Sequence, residues 1–228
     1  MSSQFDVMRT FSGESGRGRV RAARVVDRQR RRSTSDYRGR CSCRLGQSPT
    51  NGEDQEMSEG VIRLAEESEL PRLQEIERAA GERFAEIGMV FVAEDEPPSL
   101  ETLREFQREG RAWVWAGEDD RPMTYLLAEE VDGNAHLEQV SVHPDRARQR
   151  IGEALIEHLR QWARERGLPA ITLTTYTGVA WNGPYYQRLG FRYLKPDEIG
   201  PGLLRMREAE IAHGLDQWPR WYAAGPVN

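Results

Sequence analysis

"AHLEQVSVHPDRARQRIGEALIEHLRQWARERGLPAITLTTY", residues 135–176, is the stretch that decides the fold. It opens on an alternating run typical of a strand, passes through a polar loop, and continues as a long helical pattern that Gly167 ends. One face of this helix is apolar and is formed by Ile151, Leu155, Leu159 and Trp162. A second strand follows at "PAITLTTY". A strand, a helix and a strand in this order predict a crossover unit within a sheet.

The flanking segments add to this unit on both sides. Residues 61–131 predict a strand, two helices and two more strands, with Ser68 as the N-cap of the first helix. "DGN", residues 132–134, predicts a tight hairpin turn before the strand that opens the crossover. Residues 182–224 predict a short helix, a short strand, a longer helix and a closing strand. We therefore expect an α/β fold with a central mixed β-sheet flanked by helices.

The first quarter of the chain differs in composition from the rest. Residues 1–57 are rich in Arg, Ser and Gly and show no apolar periodicity, so we expect a disordered leader. Met57 is followed at once by a strand and a helix pattern, and we hypothesise that it is the true start. An Arg-rich arm for nucleic acid or a partner is the alternative. The folded domain is expected at residues 58–225.

Charge and cysteine content narrow the function classes. The net charge is −5, but residues 1–56 hold 12 arginines and 7 acidic residues, so residues 57–228 carry −10. A domain this acidic does not favour specific nucleic-acid binding. The two cysteines, Cys41 and Cys43, are too few for a zinc site, and we predict no metal. No stretch is long and apolar enough to span a membrane or to act as a signal peptide, so we expect a cytoplasmic protein.

The loop "HPDRARQRIG", residues 143–152, joins a strand to the start of a long helix. The backbone N–H groups and the dipole at a helix N-terminus favour an anion such as a pyrophosphate. Gly152 lies within the first helical turn, and the loop itself contains three arginines, Arg146, Arg148 and Arg150. The alternative interpretation is a solvated basic turn that only caps the helix.

Residues 135–192 as a whole resemble the cofactor-binding core of the GNAT family of N-acetyltransferases. The family's loop reads roughly Gln/Arg-x-x-Gly-x-Gly/Ala after a strand, and its later signature is an aromatic–Tyr pair ahead of a Gly-Phe. This chain has "YYQRLGF" at residues 185–191. The resemblance extends more weakly back to about residue 60. It implies the acyl-CoA N-acyltransferase fold and acetyl-CoA as co-substrate.

The resemblance also implies the cofactor-binding residues. Backbone N–H groups near Val140 and Val142 are expected to hold the acetyl carbonyl and the pantetheine arm. The loop contributes Arg148, Gln149, Arg150, Ile151 and Gly152, and Asn182 is carried over from an asparagine that the family has slightly further upstream. Arg150 departs from the pattern, because the family has glycine there. A non-glycine residue with positive φ costs about 1 kcal/mol in general, although an arginine can also pair with phosphate.

Three side chains are candidates for the chemistry. Strict alternation along the strand puts His136, Glu138, Val140 and Val142 on one face. By resemblance, Glu138 is our first candidate for the general base and His136 the second; a solvated surface ion pair is the alternative for both. Tyr186 stands where the family has a tyrosine that protonates the departing thiolate, and a core aromatic is its alternative.

The function predicted from these residues is acetyl transfer from acetyl-CoA to an amine of a small molecule or peptide, by direct attack. The domain has no cysteine that could carry a covalent intermediate. A non-catalytic acyl-CoA-binding sensor or partner module on the same fold is the alternative. The acceptor is not identified, although the acidic domain favours a cationic amine. The oligomeric state is left open, with a homodimer as one option.

Overall fold

Seven strands form one mixed sheet in the computed structural model, which describes residues 60–228. The predicted disordered leader, residues 1–57, and the proposed start at Met57 lie outside the described residues. The strands are β1 (Val61–Leu64), β2 (Ala112–Ala116), β3 (Pro122–Val131), β4 (Asn134–Val142), β5 (Ala170–Tyr176), β6 (Arg192–Tyr193) and β7 (Arg220–Pro226).

Six α-helices connect these strands within the described residues. They are α1 (Leu70–Ala85), α2 (Val90–Ala93), α3 (Leu100–Arg108), α4 (Ile151–Glu165), α5 (Gly183–Arg188) and α6 (Pro201–Ala212). The predicted order of elements is confirmed, except that the four-residue helix α2 was not predicted. Ser68 is not an N-cap, because it lies in a 3-10 turn, Glu67–Glu69, that precedes α1. None of the helices among residues 60–228 has the length and apolar character needed to cross a membrane.

The strand order in the sheet is β1-β2-β3-β4-β5-β7-β6. Every neighbouring pair is antiparallel except β4 and β5, which are parallel and are joined through α4. The closing strand β7 therefore lies between β5 and β6, and it runs to Pro226, one residue beyond the predicted domain end. The mixed sheet flanked by helices confirms the predicted fold class.

Helices cover both faces of the sheet. On one face, α1 and α3 bury Leu73, Ile76 and Phe106 against β2 and β3. On the other face, α4 buries an apolar stripe formed by Ile151, Leu155, Ile156, Leu159 and Trp162. Burial of one such side chain contributes about 2 kcal/mol. Together these two clusters hold the strands on which the candidate site is built.

The β3–β4 hairpin also fixes helix α6. Asp132 and Gly133 both have positive φ, 50° and 75°, as a two-residue hairpin turn of this type requires. The Asp132 carboxylate accepts hydrogen bonds from the backbone N–H groups of Gly202 and Leu203, at 2.8 and 3.0 Å. One side chain therefore caps a helix that begins 69 residues later in the chain, at Pro201.

Candidate active site

Strands β4 and β5 pair over only two residues and then separate. Ala135 lies opposite Ile171, and His136 lies opposite Thr172, but β4 continues to Val142 and β5 to Tyr176 without further pairing. The separation leaves backbone edges of both strands unpaired beyond the junction. A ligand can therefore enter the sheet between them and use those backbone groups.

A β-bulge in β4 lies directly beyond this junction. Ala128 of β3 pairs with Leu137 and the preceding residue Leu127 pairs with Gln139, so Glu138 is the extra residue on β4. The Glu138 side chain is 4% exposed although the whole residue is half-buried, so its exposed part is mainly backbone. A bulge bends its strand and leaves the extra residue outside the ladder. The β4 backbone is therefore presented at the opening between the strands.

The bulge overturns the predicted alternation along β4. Val140 packs with the α4-side cluster, and Val142 approaches Gly152 at the start of α4. Ser141 and Gln139 instead bond to α1 on the opposite face. The prediction that His136, Glu138, Val140 and Val142 share one face is wrong, because one extra residue reverses the pattern.

The opening between the strands belongs to a cavity of about 620 Å³. Ten of the eleven predicted site residues border it; these are Glu138, Val140, Val142, Arg148, Gln149, Arg150, Ile151, Gly152, Asn182 and Tyr186. His136 does not border it and is buried beneath the junction of the strands. The structure therefore brings together the β4 edge, the loop before α4, and the start of α5.

The loop before α4 contains two left-handed residues. Arg148 has φ 65° and Arg150 has φ 57°, so both occupy a conformation that favours glycine. The Arg150 guanidinium forms a paired hydrogen bond with Glu153, at 2.9 Å to each oxygen, and is turned back along the helix. The one departure from the family's glycine, at Arg150, therefore keeps a left-handed backbone conformation.

Backbone N–H groups at the start of α4 face this cavity region. The helical ladder begins with the bond from Ala154 N–H to the Arg150 carbonyl, at 3.1 Å, so the N–H groups of Ile151 and Gly152 precede it. The Gln149 Oε1 atom is buried and has no hydrogen-bond partner among the described residues. Left-handed turns beside a helix N-terminus form a concave anion site, so this loop suits a phosphate.

Glu138 and His136 are both buried, so the predicted alternative of a solvated surface pair is wrong. Their side chains are 4% and 2% exposed, and His136 Nε2 lies 3.7 Å from Glu138 Oε2. Burial lowers the pKa of His136 to about 4, whereas His136 Nδ1 lies 3.0 Å from Thr172 Oγ1 across the strand junction. His136 is therefore neutral near pH 7 and fixes the junction of β4 and β5.

The Glu138 carboxylate has no hydrogen bond from any residue in the described range 60–228. Burial, first, and then the carboxylates of Glu129 and Glu210 raise its pKa well above the usual value, against a smaller opposing effect of Arg220. A base with a raised pKa is better matched to proton transfer near neutral pH. Glu138 combines this property with a position on the cavity wall.

Tyr185 and Tyr186 lie together on the cavity lining, with the Tyr185 hydroxyl near Gly152 at the start of α4. Their ring centroids are 5.4 Å apart, and Tyr186 also packs edge-on against Phe191 at 5.6 Å. Burial is the main cause that raises the pKa of both phenols, to about 12 for Tyr185 and further for Tyr186. Tyr186 is therefore a protonated phenol that borders the cavity and also packs on the core.

Asn182 takes the N-cap position of α5. Its side chain makes no capping hydrogen bond, although the Tyr186 N–H bonds to its backbone carbonyl at 3.0 Å. Since Asn182 borders the cavity, its amide group is available to a ligand.

The sequence interpretation missed Glu77 of α1. Its carboxylate accepts hydrogen bonds from the Tyr125 hydroxyl, from Ser141 Oγ at 2.6 Å and from Gln139 Nε2 at 2.7 Å. Glu77 borders the cavity opposite the loop. The sequence signal for Glu77 was a charged residue within the apolar stripe of α1, four positions after Leu73.

A buried ion-pair cluster on β5, α6 and β7 was also missed. The Glu210 side chain is 2% exposed and bonds to Thr174, Arg207 and Arg220, at 2.5, 3.2 and 2.8 Å. The Arg220 guanidinium lies over the Tyr176 ring, 4.5 Å from its centroid. This cluster fixes the β5 wall of the cavity. Nothing in the local sequence pattern connects these distant elements.

Aromatic rings close the end of the cavity that is remote from the loop. Phe84 of α1 packs edge-on against Tyr176 and Trp181, with centroids at 5.8 and 5.7 Å. Arg83 stacks over Trp181 at 4.3 Å. Among residues 60–228, no three His, Cys, Asp or Glu side chains gather where they could hold a metal ion.

Comparisons with known proteins agree with this arrangement. Residues 70–191, more than half of the chain, match the sequence model of a family described as the acetyltransferase (GNAT) family. A ribosomal-protein alanine N-acetyltransferase from Escherichia coli has a similar structure, with 21% identity, a TM-score of 0.52, and coverage of 75% of this chain and 95% of its own.

Two further solved structures are similar. A GNAT acetyltransferase from Staphylococcus aureus is 14% identical, with a TM-score of 0.56 and coverage of 75% of this chain and 100% of its own. The PaiA N-acetyltransferase from Thermoplasma acidophilum, solved in complex with coenzyme A, is 13% identical, with a TM-score of 0.56 and coverage of 74% and 99%. At these identities, the likenesses show the fold.

Proposed function

Because this chain belongs to the GNAT family of acetyltransferases, we propose that it moves an acetyl group from acetyl-CoA to an amine of a small molecule or peptide, by direct attack. The observation that carries the proposal is that the unpaired β4 edge, the anion-binding loop before α4 and Tyr186 all border one cavity. Residues 58–225 form the proposed catalytic domain.

The residues present fit an acyl-CoA. The loop offers backbone N–H groups at the N-terminus of a 15-residue helix for the pyrophosphate. Gly152 adds room there for a ligand, because it borders the cavity and has no side chain. Val140 and Val142 lie on the β4 edge where the pantetheine arm would bind, and Asn182 offers its amide from the opposite side. The PaiA structure with coenzyme A bound adds support for this co-substrate.

Glu138 is the proposed general base. The residue borders the cavity, and its carboxylate lacks a hydrogen-bond donor from the described residues and has a raised pKa. His136 is the weaker candidate, since its pKa is near 4 and it does not border the cavity. In the proposed step, Glu138 accepts a proton from the attacking amine, either directly or through a water molecule.

Tyr186 is the proposed general acid. Its phenol borders the cavity and stays protonated at neutral pH, since burial raises its pKa. In the proposed step, it donates its proton to the departing sulfur. The domain contains no cysteine, so no thiol is present to carry the acetyl group between two half-reactions.

Calorimetric titration of the full chain with acetyl-CoA tests the proposal. We expect one saturable site per chain. The R148E variant, in the loop, should bind at least about tenfold more weakly, because a negative charge then faces the pyrophosphate. The R205E variant changes an exposed arginine on α6, outside the cavity, and should bind like the wild type. Absence of saturable binding to the wild type would refute the proposed function.

A further inference from the structure

Six carboxylates border the cavity, and they fall into two groups by their partners. Four have a cationic or imidazole partner: Asp95 with His213, Glu96 with Arg78, Glu153 with Arg150, and Glu210 with Arg207 and Arg220. The other two, Glu77 and Glu138, form no salt bridge with an arginine or lysine in the described part of the chain, although the charge of Arg220 acts on Glu138 from a distance. Both lie beside the β4 bulge, because Glu77 bonds to Gln139 and Ser141 and Glu138 is the extra residue itself.

The hydrogen bonds around Glu77 indicate an anion without a counter-charge. The Gln139 amide donates both to Glu77 and to Ser141 Oγ, the latter at 2.9 Å, so the Ser141 hydroxyl hydrogen is directed to Glu77. Tyr125 donates to the same carboxylate. All three donors are neutral, and burial still raises the pKa of Glu77 despite their hydrogen bonds, so a cation beside it would stabilise the ionised form.

Glu138 differs from Glu77 because it lacks hydrogen-bond donors from the described residues as well as a salt bridge to an arginine or lysine. Its side chain is 96% buried and receives no hydrogen bond from residues 60–228, and the residue borders the cavity. The one nearby imidazole, His136, lies 3.7 Å away and is neutral, because burial lowers its pKa to about 4. A buried carboxylate in this condition favours a cation from outside the protein.

We propose that the acceptor is a small diamine-type cation, whose reacting amine reaches Glu138 while a second ammonium group pairs with Glu77. The inference rests on the proposed acetyl transfer and adds the substrate class. A monoamine leaves Glu77 without a counter-charge, because its single amine reacts at Glu138. That amine becomes neutral when its proton moves to Glu138. A second ammonium group keeps Glu77 paired before and after the transfer.

The surroundings fit a short aliphatic chain between two ammonium groups. Gly81 and Phe84 continue the Glu77 face of α1 by one and two turns, and Val92 of α2 lies beside them on the cavity wall. Apolar groups near an anion favour methylene groups with a charged end. The cationic side chains at this end are engaged elsewhere, since Arg83 stacks on Trp181 and Arg220 bonds to Glu210. Glu77 therefore depends on the ligand for its counter-charge.

The test measures binding, separately from turnover. Terminal diaminopropane, diaminobutane and diaminopentane are titrated calorimetrically into the full chain saturated with coenzyme A. The propyl, butyl and pentyl monoamines serve as length-matched controls. We expect at least one diamine to bind about tenfold or more tightly than its monoamine, because it forms one more desolvated ion pair.

The E77Q variant assigns the preference to one residue. We expect it to remove the diamine preference, so that each diamine binds about as tightly as its length-matched monoamine. The E82Q variant is the matched control, because Glu82 is an exposed glutamate on the same helix that does not border the cavity. It removes the same charge and should keep the preference. Thermal unfolding checks that both variants are folded.

The outcomes separate this inference from the proposed function. Equal binding of diamines and monoamines by the wild type would overturn the inference, whatever the behaviour of E77Q, and so would a preference that survives E77Q. Neither result affects acetyl transfer, which is read independently as amine-dependent release of coenzyme A from acetyl-CoA. No release with any monoamine or diamine would count against the proposed function instead.

Discussion

Glu138 owes its position to one extra residue in strand β4. The bulge removes it from the ladder with β3, and the separation of β4 from β5 begins one residue before it. Its side chain is therefore almost fully buried at a position that borders the cavity. A strictly alternating strand would have given this residue either a buried core role or a solvated one.

Replacement of Glu138 by glutamine should lower kcat by about 10²–10⁴-fold, the range for removal of a general base. The wild-type kcat should fall as the pH decreases through the carboxyl pKa, because only the ionised form accepts a proton. Burial raises that pKa, so the decline should begin well above pH 4.5. Steady-state rates across pH measure both effects. A variant that keeps the wild-type pH profile would contradict the assignment.

Replacement of Tyr186 by phenylalanine should lower kcat with little change in the affinity for acetyl-CoA. The ring still packs on Tyr185 and Phe191, so only the proton donor is lost. Y222F is the control, because the Tyr222 hydroxyl is buried, lacks a partner among the described residues, and lies outside the cavity. The measurement is the initial rate with an amine that the wild type acetylates. Equal kcat for Y186F and the wild type would exclude Tyr186 as the acid.

At the scale of elements, the first turn of α4 allows the stability of the protein and its affinity for a ligand to be tested separately. Gly152 has ordinary helical φ, and a Cβ there meets its protein neighbours at normal contact distance. The protein itself therefore does not require glycine at this position. A pyrophosphate held by the loop would require glycine here, because it must approach the backbone closely.

G152A should leave the free energy of unfolding unchanged or raise it by up to about 1 kcal/mol, since alanine is the better helix former. Its affinity for acetyl-CoA should fall at least about tenfold, because the new methyl group occupies the approach path. Urea unfolding and calorimetry measure the two quantities on the same sample. Unchanged affinity would show that the ligand does not approach this residue.

The turn between β3 and β4 makes a second prediction at this scale. D132A should lower the free energy of unfolding by about 1–2 kcal/mol, because the N-terminus of α6 loses its cap. D132N is the matched control, since asparagine also caps helices and tolerates positive φ. Urea unfolding of both variants checks this, and the contact has no stabilising role if the two variants are equally stable.

For the whole molecule, much of the fold could be predicted from periodicity alone. The α4 stripe of Ile151, Leu155 and Leu159 and the "DGN" turn are local patterns, and local patterns are what a sequence displays directly. The position of β7 between β5 and β6 is not local, because it depends on which edge the last strand finds after α6.

The candidate site also combines residues that a local motif predicts with residues that depend on distant partners. The loop residues and Tyr186 were found by resemblance, since they lie in a contiguous motif. Arg150 shows that a left-handed backbone conformation can persist where the family's glycine does not. Glu77 was missed because its partners Gln139 and Ser141 lie 62 and 64 residues away. The bulge at Glu138 was missed because alternation assumes one residue for each position in the ladder.

The most direct measurement is the release of coenzyme A from acetyl-CoA by the full chain, followed over a panel of monoamines, diamines and peptides. Acetyl transfer through this cavity predicts release that requires both the wild-type protein and an amine, and that falls by at least about a hundredfold in the E138Q variant. Saturable binding of acetyl-CoA without amine-dependent release across the panel would contradict acetyl transfer and would favour an acyl-CoA-binding sensor.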